Sequence, residues 1–388
     1  MHHTSPRAPR IRRTAALCLA LLAPAAWAEL KVGVILSVTG PAASLGIPAE
    51  NTIRLWPTEI GGEKVRLTFI NDASDPTEAS KAAARLVDEH QVDVIVGPSL
   101  TPNSVAAMEV AGRNGTPIIA LGGGGVIIEP QEGPRKWAFK MPAPEALSVR
   151  TVLDHIERSQ LKRVAAITVT TSYGEGFLQT LRSQAATRGI EIVASEHYNA
   201  ADLSTTSQVL KVMAAKPDAV YILSFGTPAA LPHMELVKRG YKGPIYQTHG
   251  VANAQFVKLG GQEVEGGLLA VAPVLVAEQL PAEHPTRREG MEYVSRYEGR
   301  HGEGTRSLFG STAWTALRWL ENTVPEALKA AHPGTPEFRS ALRDALEGMK
   351  EVVTPEGVFS MSPGNHNGID EHAQVLVQIE NGRWKLVP

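Results

Sequence analysis

Cysteine occurs once in the 388 residues, as Cys18. No disulfide can close within one chain, and beyond that position no thiol nucleophile exists. Charge of one sign is not in excess either: 38 Lys and Arg face 40 Asp and Glu, for a net charge of −2. Without an overall positive field, nucleic acid is not an expected partner. After residue 28 no run of 18 apolar residues occurs, so nothing in that part reads as a membrane span. Enzyme signatures are missing as well. There is no G-x-S-x-G elbow, no H-E-x-x-H, and no Gly-Lys-Ser/Thr to complete a phosphate loop around Gly122 to Gly125. His366 and His372 in HNGIDEH are too widely spaced for a metal pair on a helix and read as ordinary surface histidines of a polar loop. No cofactor is expected.

What is present begins with a leader. Arg7, Arg10, Arg12 and Arg13 form a basic stretch without an acid, Ala15 to Ala26 is a short apolar run, and Ala26-Trp27-Ala28 offers small residues to a signal peptidase. Residues 1–28 therefore read as a secretory signal, by the Sec or the twin-arginine route, with Glu29 first in the mature chain. Cys18 follows Leu17, where a lipoprotein signal would need a small residue. A secreted chain of this length without disulfides must be held by a large core.

From residue 29 onward, short β-rich runs alternate with amphipathic stretches. Leu30 to Ser37, Val65 to Ile70, Val92 to Val96 and Thr116 to Leu121 have strand length. Thr77 to His90 and Asn103 to Asn114 follow Pro76 and Pro102 with helical spacing. This β-α-β-α order predicts a mostly parallel sheet covered on both faces. Beyond the Met141-Pro142-Ala143-Pro144 breaker, a second series runs from Val164 to Val169, Ile190 to Ser195, Ala219 to Leu223, Pro244 to Gln247 and Gly267 to Val271, with helices between them. Three helical stretches follow, Pro285 to Arg300, Ser307 to Ala330 and Pro336 to Gly348. A hairpin is expected at Asn381-Gly382. The pattern predicts an α/β chain of two lobes, residues 29–141 with 275–352 and residues 142–274 with 353–388, crossing between them near residues 142, 273 and 354.

Two groups of residues are placed to bind. Thr101-Pro102-Asn103-Ser104 opens a helix just after a strand, where hydroxyls, an amide and free N–H groups meet a positive helix terminus that suits a carboxylate. Plain N-capping would account for the same residues. Gly122, Gly123 and Gly124 lie at the carboxyl end of the neighbouring strand, where open α/β sheets bind ligands and glycine admits a ligand close to the backbone.

Gly40-Pro41 with Gly46, Asn71-Asp72-Ala73-Ser74-Asp75-Pro76, Gly97 with its Thr/Ser-rich loop, Ser172-Tyr173-Gly174-Glu175-Gly176 and Gly250-Val251-Ala252-Asn253 follow one another in this chain. In that order they resemble type I periplasmic solute-binding proteins, in the branch that serves leucine, isoleucine and valine uptake by ABC importers. The resemblance implies two lobes joined by three hinge strands, no catalysis, a small ligand in the cleft and permease subunits as partners of a periplasmic monomer. A ligand-sensing receptor, or a secreted enzyme on a related two-lobed fold, is the alternative. By the same resemblance, the loops at Thr101 and at Gly122 to Gly124 hold the ligand carboxylate and part of its amine. Tyr173 and Phe225 line the second lobe, and Leu45 replaces an aromatic. Gly124 stands where a hydroxyl residue is usual. His249 stands where amino-acid binders carry an acid to pair with the ligand ammonium. A buried ammonium without an anionic partner is costly, so the expected ligand is an aromatic or 2-oxo carboxylate rather than an α-amino acid.

Overall fold

A computed structural model describes residues 1–4 and 29–388; the expected signal segment and its cleavage site fall largely outside the described residues. The first half of the chain builds β1 (Leu30–Leu36), α1 (Ala43–Ile53), β2 (Glu59–Ile60), β3 (Glu63–Asn71), α2 (Pro76–Asp88), β4 (Val94–Val96), α3 (Thr101–Arg113), β5 (Ile118–Ala120) and β6 (Ala138–Lys140). They form one sheet of order β2-β3-β1-β4-β5-β6, parallel except for the short β2. Every residue of β4, β5 and β6 is buried, as strands covered on both faces must be. Asp75 caps α2 by accepting from the Thr77 and Glu78 N–H groups, with Pro76 in its first turn.

The second sheet grows from α4 (Glu145–Arg158), β7 (Arg163–Val169), α5 (Ser172–Ala186), β8 (Glu191–Tyr198), α6 (Thr206–Ala214), β9 (Ala219–Leu223), α7 (Ala230–Lys238), β10 (Ile245–Gln247), α8 (Ala254–Gly260) and β11 (Leu268–Val271). The chain then makes α9 (Arg287–His301), α10 (Leu308–Ala327), α11 (Pro336–Glu347) and a small pair, β12 (Val352–Val353) with β13 (Val358–Phe359). It ends in the hairpin β14 (Val375–Glu380) and β15 (Arg383–Leu386), which adds to β11 antiparallel and completes the order β15-β14-β11-β10-β9-β7-β8. Asn381 and Gly382 both take positive φ, 54° and 70°, as the expected two-residue turn requires. The fold is thus α/β with two mostly parallel sheets flanked by helices. Among the described residues no helix is long and apolar enough to cross a membrane.

Two helices were not read from the sequence. Helix α1 carries Gly46 and Pro48 inside it, which mask its periodicity, and α4 starts directly after the proline-rich breaker. Strands β2, β6, β12 and β13, of two or three residues each, were not read either, and HNGIDEH differs from its expected surface role. His366 is fully buried, not a surface histidine, and stacks on Phe139 with ring centroids 4.2 Å apart. Its Nδ1 donates to the Ala138 carbonyl at 2.8 Å, and its Nε2 lies 3.1 Å from Glu347 Oε1. Asn367 Nδ2 donates to the carbonyls of both Lys140 and Pro142. Residues 365–368 therefore run beside β6. His372 is exposed and pairs with Asp370.

Candidate functional site

Between the two sheets lies a cavity with about 410 Å³ of atom-free space, part of it open to solvent. The first sheet contributes the loops that follow β4 and β5, so Ser99, Leu100, Thr101 and Gly123 reach it from carboxyl strand ends. The second sheet contributes Tyr173 from the first turn of α5, Phe225 after β9, and His249 after β10. Leu45 of α1 and Phe309 and Thr312 of α10 close the remaining wall.

Of the residues singled out from the sequence, Leu45, Thr101, Gly123, Tyr173, Phe225 and His249 border this cavity. Asn103, Ser104, Gly122 and Gly124 stand behind its wall. The capping alternative for the Thr101 segment is not realised, because no side chain caps α3. Thr101 Oγ1 instead accepts from the Gly124 N–H at 3.0 Å, and Ser104 Oγ donates to the Pro98 carbonyl at 3.1 Å. The α3 terminus is thereby left uncapped beside the cavity, and the two first-sheet loops are locked together. Gly124 has no room for the hydroxyl side chain usual at its position: a Cβ there would lie 2.5 Å from Thr101 Cγ2. At Gly123 a Cβ would lie 2.8 Å from His249 Nε2 and 3.1 Å from Tyr173, so glycine lets the two halves of the site meet. Asn103 is fully buried, with neither side-chain polar atom bonded.

The second-sheet wall is aromatic. Tyr173 meets Phe177, Phe225 and His249 with ring centroids 4.9, 6.3 and 5.8 Å apart, the last two edge-on. The Ser99 hydroxyl is buried without a hydrogen-bond partner, and the Tyr173 hydroxyl is buried toward Thr248 and the Gly250 N–H. Burial raises the Tyr173 pKa, so this phenol stays protonated. Burial, with the Lys140 charge adding to it, pushes His249 down to about 3, and the imidazole is neutral at ordinary pH. Lys140 is itself buried beneath Pro142, donating to its carbonyl at 2.5 Å. Burial lowers its pKa to about 8, against the opposing pull of Glu145, Glu129 and Glu356. Two carboxylates approach the site from outside its wall. Glu145 accepts from the Gly125 N–H at 2.8 Å, and burial raises Glu356 to about 7.

Sequence reasoning missed Ser99, Leu100, Leu121, Pro142, Leu308, Phe309 and Thr312 among the lining residues, and gave Gly250 no role in the site. Ser99 and Gly250 adjoin segments already singled out. Phe309 and Thr312 come from a helix far along the chain, and only tertiary packing brings them in.

Two α/β sheets that present their carboxyl strand ends to a shared cleft have the layout of a small-ligand binding site. The chain belongs to the periplasmic binding protein family, whose profile matches residues 29–383. It is similar to Leu/Ile/Val-binding protein homolog 3 of Brucella melitensis, 24% identical over 347 residues, 88% of this chain and 89% of that one. An extracellular ligand-binding receptor from Rhodopseudomonas palustris HaA2 shares the fold with a TM-score of 0.89 and 41% identity, over 93% of this chain and all of that one. An ABC-transporter solute-binding protein from Rhodopseudomonas palustris BisB5, solved with 3,4-dihydroxybenzoic acid, aligns with a TM-score of 0.77 and 21% identity over 92% of this chain and 96% of its own. The protein is thus a periplasmic binding protein that counts Leu/Ile/Val-binding homologues among its relatives.

Proposed function

We propose that this protein captures a small carboxylate lacking an amine, aromatic or 2-oxo, and presents it to an inner-membrane permease from the periplasm. One observation carries the reading: among the described residues bordering the cavity there is no acid, and the one titratable base, His249, is neutral. An ammonium would enter without an anionic partner among the lining residues. A carboxylate fares better. The uncapped α3 terminus and the unpartnered Ser99 hydroxyl favour an anion. Phe225, Phe309, Leu45 and Tyr173 supply apolar walls for the rest of the ligand. The dihydroxybenzoate held by a neighbour of this fold supports an aromatic acid as a ligand the architecture accepts.

Calorimetric titration of leucine, 4-methyl-2-oxopentanoate, phenylpyruvate and a hydroxybenzoate tests the proposal. Removing one partner of a buried ion pair costs about 3–5 kcal/mol, or roughly two to three decades of affinity, so leucine should bind that much more weakly than the best amine-free acid. His249→Glu should move preference toward leucine. Leucine binding as tightly as the best amine-free acid would sink the reading.

A further inference from the structure

The hydrogen-bond network behind His249 decides which of its nitrogens carries the proton. Gln374 Nε2 donates to the Ala373 carbonyl at 2.9 Å, which turns Gln374 Oε1 toward Ser148. Amide oxygens only accept, so the Ser148 hydroxyl must donate to Oε1, at 3.1 Å. Its proton is then committed, and only oxygen lone pairs face His249 Nδ1, which lies 3.5 Å away. A lone pair on Nδ1 would face these oxygen lone pairs, whereas a proton there can be shared with them. The ring holds a single proton, since burial keeps it neutral. Nε2 is therefore left bare, and it is the nitrogen that reaches across to Gly123 at the cavity wall.

Resting on the function proposed above, we infer that His249 is fixed by Ser148 and Gln374 as a hydrogen-bond acceptor toward the ligand, and that it selects a carboxylate bearing a neutral O–H donor, a phenol above all. This narrows the ligand class. A phenol O–H can donate to Nε2 without bringing a charge, while a methoxy group or a bare ring cannot. A 2-oxo group cannot either, because its oxygen only accepts. Ser148 and Gln374 act through the imidazole and are positioning residues.

The test has two readings on the whole protein. In the first, nitrogen-15 NMR assigns the protonated nitrogen of His249, which should be Nδ1; a proton on Nε2 overturns the inference. In the second, calorimetry compares 3- and 4-hydroxybenzoate with their methoxy counterparts and with benzoate. At least one hydroxybenzoate should bind about tenfold tighter than benzoate and its own methoxy ether, the worth of one buried hydrogen bond. Gln374→Leu frees the Ser148 proton to donate to Nδ1. It should move the imidazole proton to Nε2 and abolish the preference while benzoate still binds. Ser148→Ala should weaken the preference with the fold retained. Equal binding of all these acids overturns the inference and leaves the amine-free carboxylate reading standing. Tight leucine binding with no binding of any of these acids overturns both.

Discussion

His249 concentrates the consequences of burial in one side chain. Its pKa of about 3 means that below pH 6.5 the unfolded chain takes up a proton which the folded chain refuses. Stability therefore falls as pH drops below 6.5 and carries no contribution from this group above it. The slope is about 1.4 kcal/mol per pH unit once the unfolded imidazole is fully charged. Between pH 6.5 and 5 the wild type should lose about 1.5 kcal/mol more than His249→Asn, read from urea unfolding at the two pH values. Equal losses would show that the imidazole is not held neutral. The buried Lys140 and Glu356 are linked differently. Each is lifted toward its neutral form by burial, and each partly offsets the other's charge.

At the scale of elements, the segment after β13 splints the end of β6. Asn367 gives both protons of its amide nitrogen to carbonyls at the end of β6, and the Lys140 N–H donates back to the His366 carbonyl at 3.0 Å. Asn367→Ala removes a donor from two buried carbonyls, of which Pro142's keeps the Lys140 ammonium, and the loss of about 1–3 kcal/mol is measurable as a lower urea midpoint at unchanged slope. A neutral result would mean that water or another donor replaces the amide. Helix α3 shows the opposite economy, in that its first turn is left without a side-chain cap while Thr101 ties it to the Gly124 loop. Elsewhere helix ends are satisfied in the ordinary way, as where Ser307 caps α10 and Asn253 caps α8.

For the whole molecule, the decisive contacts are those that cross the cleft. Glu145 of α4 accepts from Gly125 in the first-sheet loop, His249 approaches Gly123, and Gly226 lies against Ser44 and Leu45 of α1. A ligand touching both Thr101 and Tyr173 adds to these contacts only when the lobes are together, so it shifts the population toward closure. Small-angle scattering should show a smaller radius of gyration at saturating ligand. An identical profile with and without ligand would contradict hinge closure.

Much of this architecture is determined by the sequence alone. Fully apolar runs such as Val94 to Val96 and Ala219 to Leu223 must be covered on both faces, and helices between them leave parallel sheets as the solution. Asn381-Gly382 dictates its hairpin because both residues tolerate positive φ. Thr101 and Gly123, which border the cavity, were legible from local pattern, at a helix start and at a strand end, whereas Tyr173, Phe225 and His249 were singled out only through the family resemblance. Tertiary structure decided the rest. No local signal brings Phe309 and Thr312 from α10 to the cavity, sets Ser148 and Gln374 behind His249, or buries His366 against Phe139. Those are contacts between residues up to 228 positions apart, and a polar side chain reads the same in a sequence whether it faces water or a carbonyl across the hinge.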